Sequence, residues 1–156
     1  FLNQEKNNKD FTITDNRMTR FNITIKEAVS FVMSCISNMK GKEIFIPKCP
    51  SYKITDVVKA INPKRRIKII GIRPGEKIHE EMITTSDSFS TIDLGLYYAV
   101  LPSDGSVQRQ YLSAGLPVKS VEPGFAYNSG TNSDFLCVNQ LRDLIREHVD
   151  STFQPI

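Results

Sequence analysis

Cysteine is scarce in this chain and oddly placed. Cys35, Cys49 and Cys137 are odd in number and too widely spaced for a disulfide framework or a CxxC metal site. Free thiols and a reducing, cytoplasmic compartment are the resulting expectation. Histidine occurs twice, at His79 and His148, and neither has a second ligand at metal spacing. His79-Glu80-Glu81 opens like a zinc helix, but Ile83 stands where HExxH requires histidine, so no metal site is expected. No two of the eight glycines stand two or three residues apart, which excludes a GxGxxG phosphate loop. No apolar run approaches the ~18 residues of a membrane-spanning helix, and no signal peptide is visible. Charge of one sign is lacking too: the net charge of +3 is small and dispersed, which argues against a nucleic-acid partner. The densest basic run, Lys64-Arg65-Arg66, follows Asn62-Pro63 and reads as a solvated loop.

What is present is an ordinary globular composition, 40% apolar and 24% charged over 156 residues. That length suits one domain, able to bury about two-thirds of its surface. The chain opens on Phe1 rather than methionine, and residues 1–6 read like the last turns of a helix whose beginning is absent. A piece of a longer protein is therefore expected.

Short strands are expected at residues 11–14 and 18–23, separated by the turn residues Asp15-Asn16. Arg20 lies in the second; by itself it reads as an exposed strand arginine. Thr24-Ile25-Lys26-Glu27 is a capping box. It opens a helix whose apolar positions Ala28, Phe31, Val32, Cys35, Ile36 and Met39 form a wide face, read as a core face, before Gly41. A strand at 43–47, a helix at about 55–61 ended by Asn62-Pro63, and a strand from Ile67 follow. This alternation suggests βαβ units feeding a parallel sheet, with the 24–39 helix and the 43–47 strand at its edge. Further on, 84–90 reads as a loop and 96–101 as a strand. The stretch 103–124, with Gly105, Gly115, Pro117, Pro123 and Gly124, reads as irregular surface. Residues 125–132 read as a strand end and turn, 138–149 as a helix, and 150–156 as a frayed tail.

The stretch from Ile67 to Met82 is the most informative. Ile67, Ile69, Ile70 and Ile72 have the composition of a buried or half-buried strand. Arg73-Pro74-Gly75-Glu76 has type II turn chemistry, with proline setting one φ and glycine accepting a positive one. Ile78 and Met82, one helical turn apart, suggest a short helix afterwards. The turn brings Arg73 and Glu76 together. An arginine fork suits phosphate oxygens, and a nearby carboxylate can accept hydrogen bonds from sugar hydroxyls. The same tetrapeptide equally suits a solvated turn whose charged ends pair with each other.

Three stretches together carry a resemblance: 13–21 (ITDNRMTRF), 69–80 (IIGIRPGEKIHE) and 127–132 (YNSGTN). They resemble the C-terminal part of the inverting UDP-N-acetylglucosamine 4,6-dehydratases, extended short-chain dehydrogenase/reductases of polysaccharide and pseudaminic-acid biosynthesis. The resemblance covers about residues 1–149. It implies an α/β fold: the last strands and helices of a Rossmann-like sheet plus a small substrate-binding domain, with the N-terminal NAD(P)-binding half absent. It implies that Arg73 binds the UDP diphosphate, that Glu76 holds the uridine ribose hydroxyls, and that Arg20 also faces the diphosphate. Lys77 is read as solvent-facing.

In the intact family enzyme the resemblance implies redox-neutral chemistry on bound NADP: hydride leaves the sugar, water is lost across C5 and C6, and hydride returns with inversion at C5. That chemistry needs a Tyr-x-x-x-Lys pair. Four residues after Tyr52, Tyr97, Tyr98, Tyr111 and Tyr127 stand Asp56, Leu101, Pro102, Gly115 and Thr131. No catalytic or NADP-binding residue is therefore expected in this chain. Its implied partners are a UDP-sugar, the missing N-terminal half and, as relatives are commonly oligomeric, further copies of itself. Two alternatives stand beside this one: a non-catalytic nucleotide-sugar-binding module, and part of a related UDP-sugar epimerase or reductase.

Overall fold

The computed structural model describes residues 1–116 and 118–156. In chain order the elements are α1 (Leu2–Lys6), β1 (Phe11–Ile13), β2 (Thr19–Phe21), α2 (Ile25–Asn38), β3 (Ile44–Pro47), β4 (Ser51–Lys53), α3 (Ile54–Ile61) and β5 (Ile67–Ile69). After these come β6 (Glu81–Ile83), a 3-10 turn (Asp87–Ser90), β7 (Thr91–Asp93), β8 (Tyr97–Val100), α4 (Ser106–Ser113), β9 (Lys119–Ser120), β10 (Tyr127–Asn128) and α5 (Val138–His148). The chain is mixed α/β. It forms two compact units rather than one domain, each assembled from separated segments.

The first unit comprises Phe1–Asn22, Pro50–Glu80 and Ser129–Ile156. β1 and β5 pair in parallel, Phe11 opposite Ile67 and Ile13 opposite Ile69. β2 and β4 pair antiparallel, Arg20 opposite Tyr52. Phe11, Ile13, Val58, Ile61 and Phe153 form the core, with Ile54, Val57 and Ile145 packed against it. Alternate side chains of β1 and the i, i+3 positions of α3 supply most of it. Phe153 is 6% exposed, and the Ile156 N–H donates to the Ile61 carbonyl. The expected frayed tail is thus packed, because its aromatic ring has a hydrophobic socket.

The second unit comprises Ile23–Cys49 and Glu81–Asn128. Its antiparallel sheet runs β3-β8-β7-β9, and its core is Ile92, Ala99, Leu101, Val107 and Tyr111. The Thr24–Glu27 capping box forms at the start of α2 as the sequence predicts. Buried Tyr111 donates to Glu43 Oε1 at 3.1 Å, and burial pushes its phenol well above the usual range. The same carboxylate accepts the Lys40 and Gly41 N–H groups, tying the chain that follows α2 to α4.

Several expectations are overturned. The β3 strand belongs to this antiparallel sheet, not to the edge of a parallel one, although it does sit at a sheet edge. The only parallel pairing between named strands among the described residues is β1 with β5. The wide apolar face of α2 is not a core face here: no α2 residue is buried, and Val32, Ile36 and Met39 are all more than half exposed. Its partly buried side is Ala28, Phe31, Ser34 and Cys35, with Phe31 edge-on to Tyr97 at 5.9 Å. The 67–72 run is likewise exposed, since β5 is paired only to β1. No helix forms at 77–82. The Ile78 carbonyl and the Glu80 N–H, which a helix would use internally, bond Thr19 and Ser129 instead. Within the supposedly irregular 103–124 stretch, α4 forms because Val107 and Tyr111, one turn apart, bury one face. Pro117 lies outside the described residues.

Candidate functional site

The Arg73–Glu76 segment leaves β5 after the Ile70 N–H donates to the Ile13 carbonyl at 2.9 Å. Glu76 N–H then donates to the Arg73 carbonyl at 3.0 Å, closing the turn. Gly75 takes φ +84°, the left-handed value a type II turn needs at its third position. The Glu76 carboxylate folds back, Oε2 accepting the Arg73 backbone N–H at 3.0 Å. Arg73 is exposed and Glu76 is half-buried. The Arg73 guanidinium makes no hydrogen bond or ion pair among the described residues. The two do not pair charge to charge; the carboxylate is spent in part on backbone.

Arg20 is held quite differently. Its Nη1 donates to the Thr19 carbonyl at 2.6 Å and the Ile78 carbonyl at 3.2 Å, and its Nε lies 3.3 Å from Glu80 Oε1. It is half-buried, with 25% of its side chain exposed, so the sequence reading of an exposed strand arginine is corrected. The structure therefore joins Arg73 to Glu76, and joins Arg20 to the residues just beyond them. It records no bond between Arg20 and either turn residue. Tyr52, across from Arg20 on β4, has its phenol raised by burial, with the Arg20 charge pulling the other way.

Sequence reasoning passed over the groups that fasten this corner. Thr19 Oγ1 lies 2.8 Å from His79 Nδ1 and 2.7 Å from Ser129 Oγ. The Glu80 N–H donates to Ser129 Oγ at 2.9 Å, and the Ser129 N–H returns to the Glu80 carbonyl at 2.8 Å. Asn132 Nδ2 donates to Ser51 Oγ at 3.0 Å, fastening the following loop to β4. All but Ser51 lie within the three stretches that carry the family resemblance; their meeting in space is what a single sequence does not display.

The residues present do not suit a nicotinamide dinucleotide. Such a cofactor needs a helix start whose N–H groups are bare and approached closely by glycine backbone. Here α2 and α5 begin in capping boxes, Thr24 with Glu27 and Cys137 with Gln140. α3 carries Asp56 in its first turn, and the Asp104 carboxylate accepts the Ser106 N–H at the start of α4. Among the described residues no three His, Cys, Asp or Glu side chains cluster as a metal site, and Cys35, Cys49 and Cys137 form no disulfide. No described helix is long and apolar enough to cross a membrane.

Comparison with known proteins places the chain in a family. The chain is 43% identical over 141 residues to "UDP-N-acetylglucosamine 4,6-dehydratase (inverting)" of Campylobacter jejuni subsp. jejuni, covering 88% of this chain and 42% of that protein. It is 38% identical over 109 residues to the "UDP-glucose 4-epimerase" of Rickettsia bellii, covering 67% of this chain and 32% of that protein. The solved X-ray structure of Pen from Bacillus thuringiensis superposes with a TM-score of 0.72 at 26% identity, over 92% of this chain and 41% of that one. The chain thus spans less than half the length of these relatives. The family described as "Polysaccharide biosynthesis protein" matches residues 1–102, and the chain belongs to that family.

Proposed function

We propose that residues 1–149 are the substrate-binding part of an NADP-dependent UDP-N-acetylglucosamine 4,6-dehydratase, and that they anchor the UDP moiety. Arg73 takes the diphosphate through its forked donors, Glu76 accepts the ribose hydroxyls, and Arg20 adds a second cation to the diphosphate. The observation that carries this reading is the Arg73–Glu76 turn: an exposed guanidinium with no hydrogen bond or ion pair among the described residues, and a carboxylate, held within one four-residue corner. Two arginines can neutralise a dianionic diphosphate and orient it by paired hydrogen bonds. Glu80, at 3.3 Å from Arg20, then acts as a resident counter-ion until the diphosphate arrives.

This chain's share of the work is orientation, so that the hexose lies over chemistry supplied elsewhere. NADP is held, in this reading, by the part of the relatives' length that this chain does not span. The same part would cover the exposed apolar residues of α2 and, separately, Ile67, Ile69, Ile70 and Ile72. The protein is expected in the cytoplasm and as a homo-oligomer.

The test uses the whole protein that contains this chain. It should bind UDP and dehydrate UDP-N-acetylglucosamine to a 4-keto-6-deoxy product, observed by mass spectrometry. Failure to bind UDP overturns the reading. UDP binding with 4-epimerisation but no loss of water would favour the epimerase alternative, to which the Rickettsia relatives point.

A further inference from the structure

We infer that His79, Thr19 and Ser129 form a positioning clamp that sets the geometry of the proposed UDP site, with His79 as its terminal hydrogen-bond acceptor. The inference rests on the UDP reading above for its ligand, and on this chain's own geometry for its residues. Thr19 is 3% exposed and Ser129 0%, so neither hydroxyl can turn to water for a partner. The Glu80 N–H is an obligate donor to Ser129 Oγ. Among the recorded partners, one direction uses every hydroxyl hydrogen: Ser129 O–H donates to Thr19 Oγ1, and Thr19 O–H donates to His79 Nδ1. The reverse direction leaves the Ser129 hydrogen with no acceptor among them. His79 therefore sits as the tautomer bearing its hydrogen on Nε2.

The clamp reaches the ligand groups through backbone. Both neighbours of His79 are pinned. The Ile78 carbonyl accepts the Thr19 N–H at 3.0 Å and Arg20 Nη1 at 3.2 Å. Glu80 exchanges two bonds with Ser129 and faces Arg20 through its carboxylate. A rotation of the 78–80 backbone would thus turn the Arg20 guanidinium and swing the attached Arg73–Glu76 turn. The imidazole is also locked by shape. A Cβ on Gly130 would lie 2.6 Å from His79 Nδ1 and 2.7 Å from Cε1 and Cγ, so only glycine leaves room for the ring there. In this reading the side chains of His79, Thr19 and Ser129 act on the ligand through Arg20 and the turn, and the Thr19 carbonyl accepts Arg20 Nη1 at 2.6 Å.

The experiment measures UDP affinity and steady-state kinetics in the whole protein for Thr19→Val, His79→Leu, their double variant, Thr19→Ser, His79→Asn and an Arg73→Ala control. Loss of one link leaves a buried donor or acceptor unpaired, so Thr19→Val and His79→Leu should each raise the Kd for UDP about ten-fold. KM should rise with it while kcat moves less. The double variant should be no worse than the poorer single, because the links act as one chain. Thr19→Ser keeps the hydroxyl, and His79→Asn places an acceptor near Nδ1; both should stay within about three-fold of the parent. A merely structural role would lower the melting temperature without moving the Kd of the folded protein. If His79→Leu fails to fold, near-isosteric Thr19→Val carries the test. Folded Thr19→Val that binds UDP like the parent, while Arg73→Ala does not, overturns the clamp and leaves the UDP reading standing. Absence of UDP binding by the parent itself overturns both.

Discussion

The Glu76 carboxylate accepts the Arg73 backbone N–H at 3.0 Å, across the turn in which the Glu76 N–H donates to the Arg73 carbonyl at 3.0 Å. Both bonds use the Arg73 main chain and neither uses its guanidinium. Arg73→Ala should therefore leave the melting temperature unchanged while weakening UDP binding by about 2–4 kcal/mol, the scale for truncating one partner of a hydrogen-bonded charge pair. Calorimetric titration of the whole protein reads both. An unchanged Kd would place Arg73 outside the site.

Gly75 and Gly130 are required for different reasons. Gly75 has φ +84° and open space where a Cβ would stand, so Gly75→Ala should cost about 1–2 kcal/mol of purely conformational strain. No change at His79 should relieve it. Gly130 has no such φ, and its constraint is the His79 ring against it. Gly130→Ala should destabilise the chain and be substantially rescued by His79→Ala. Denaturant midpoints of the four variants decide it; equal rescue at both glycines would contradict the steric account.

Asp15 gives a pH prediction. Its carboxylate accepts Arg17 Nε at 2.9 Å, Nη2 at 2.7 Å and the Arg17 N–H at 2.8 Å. The guanidinium bonds, then the backbone bond, hold its pKa at about 2 against an ordinary 3.8. A depressed carboxyl pKa contributes stability that is fully present above the unfolded value and disappears as pH falls through the folded one. The contribution should therefore be intact above pH ~4 and lost between about 4 and 2. Carbon-detected NMR titration of Asp15 checks the folded value, and Asp15→Asn should flatten that part of the stability profile. A midpoint near 3.8 would mean that the Arg17 contacts do not persist.

The outer face of α2 carries Ile25, Val29, Val32, Met33 and Ile36, each between 54% and 86% exposed. The isolated chain should bind a hydrophobic dye and self-associate. Val32→Gln with Ile36→Gln should reduce dye binding while changing stability by less than about 0.5 kcal/mol per site. A loss of several kcal/mol would show that these side chains are packed within the chain itself.

Local signals carried the elements whose causes are local. The Thr24–Glu27 box starts α2, the 138–149 pattern becomes α5 and Arg-Pro-Gly-Glu makes its turn, because each depends on neighbours within four residues. The expectation of a helix at 77–82 failed for the opposite reason. Its spacing of Ile78 and Met82 was sound, but the backbone groups it needed were taken by Thr19 and Ser129, distant in sequence. The missed α4 had a readable sign, Val107 and Tyr111 one turn apart, obscured by the surrounding glycines and prolines.

By itself the sequence determined the family motifs, the placing of Arg73 and Glu76 at the two ends of one turn, and the lack of a GxGxxG pattern; all are matters of short-range order. Only the tertiary structure decided that β3 joins an antiparallel sheet, that the α2 stripe stays in solvent, that Phe153 is buried and that His79, Thr19 and Ser129 meet. Apolar periodicity says which side of an element seeks cover but not what covers it, and a hydrogen bond between residues 19 and 129 leaves no trace in the spacing of either.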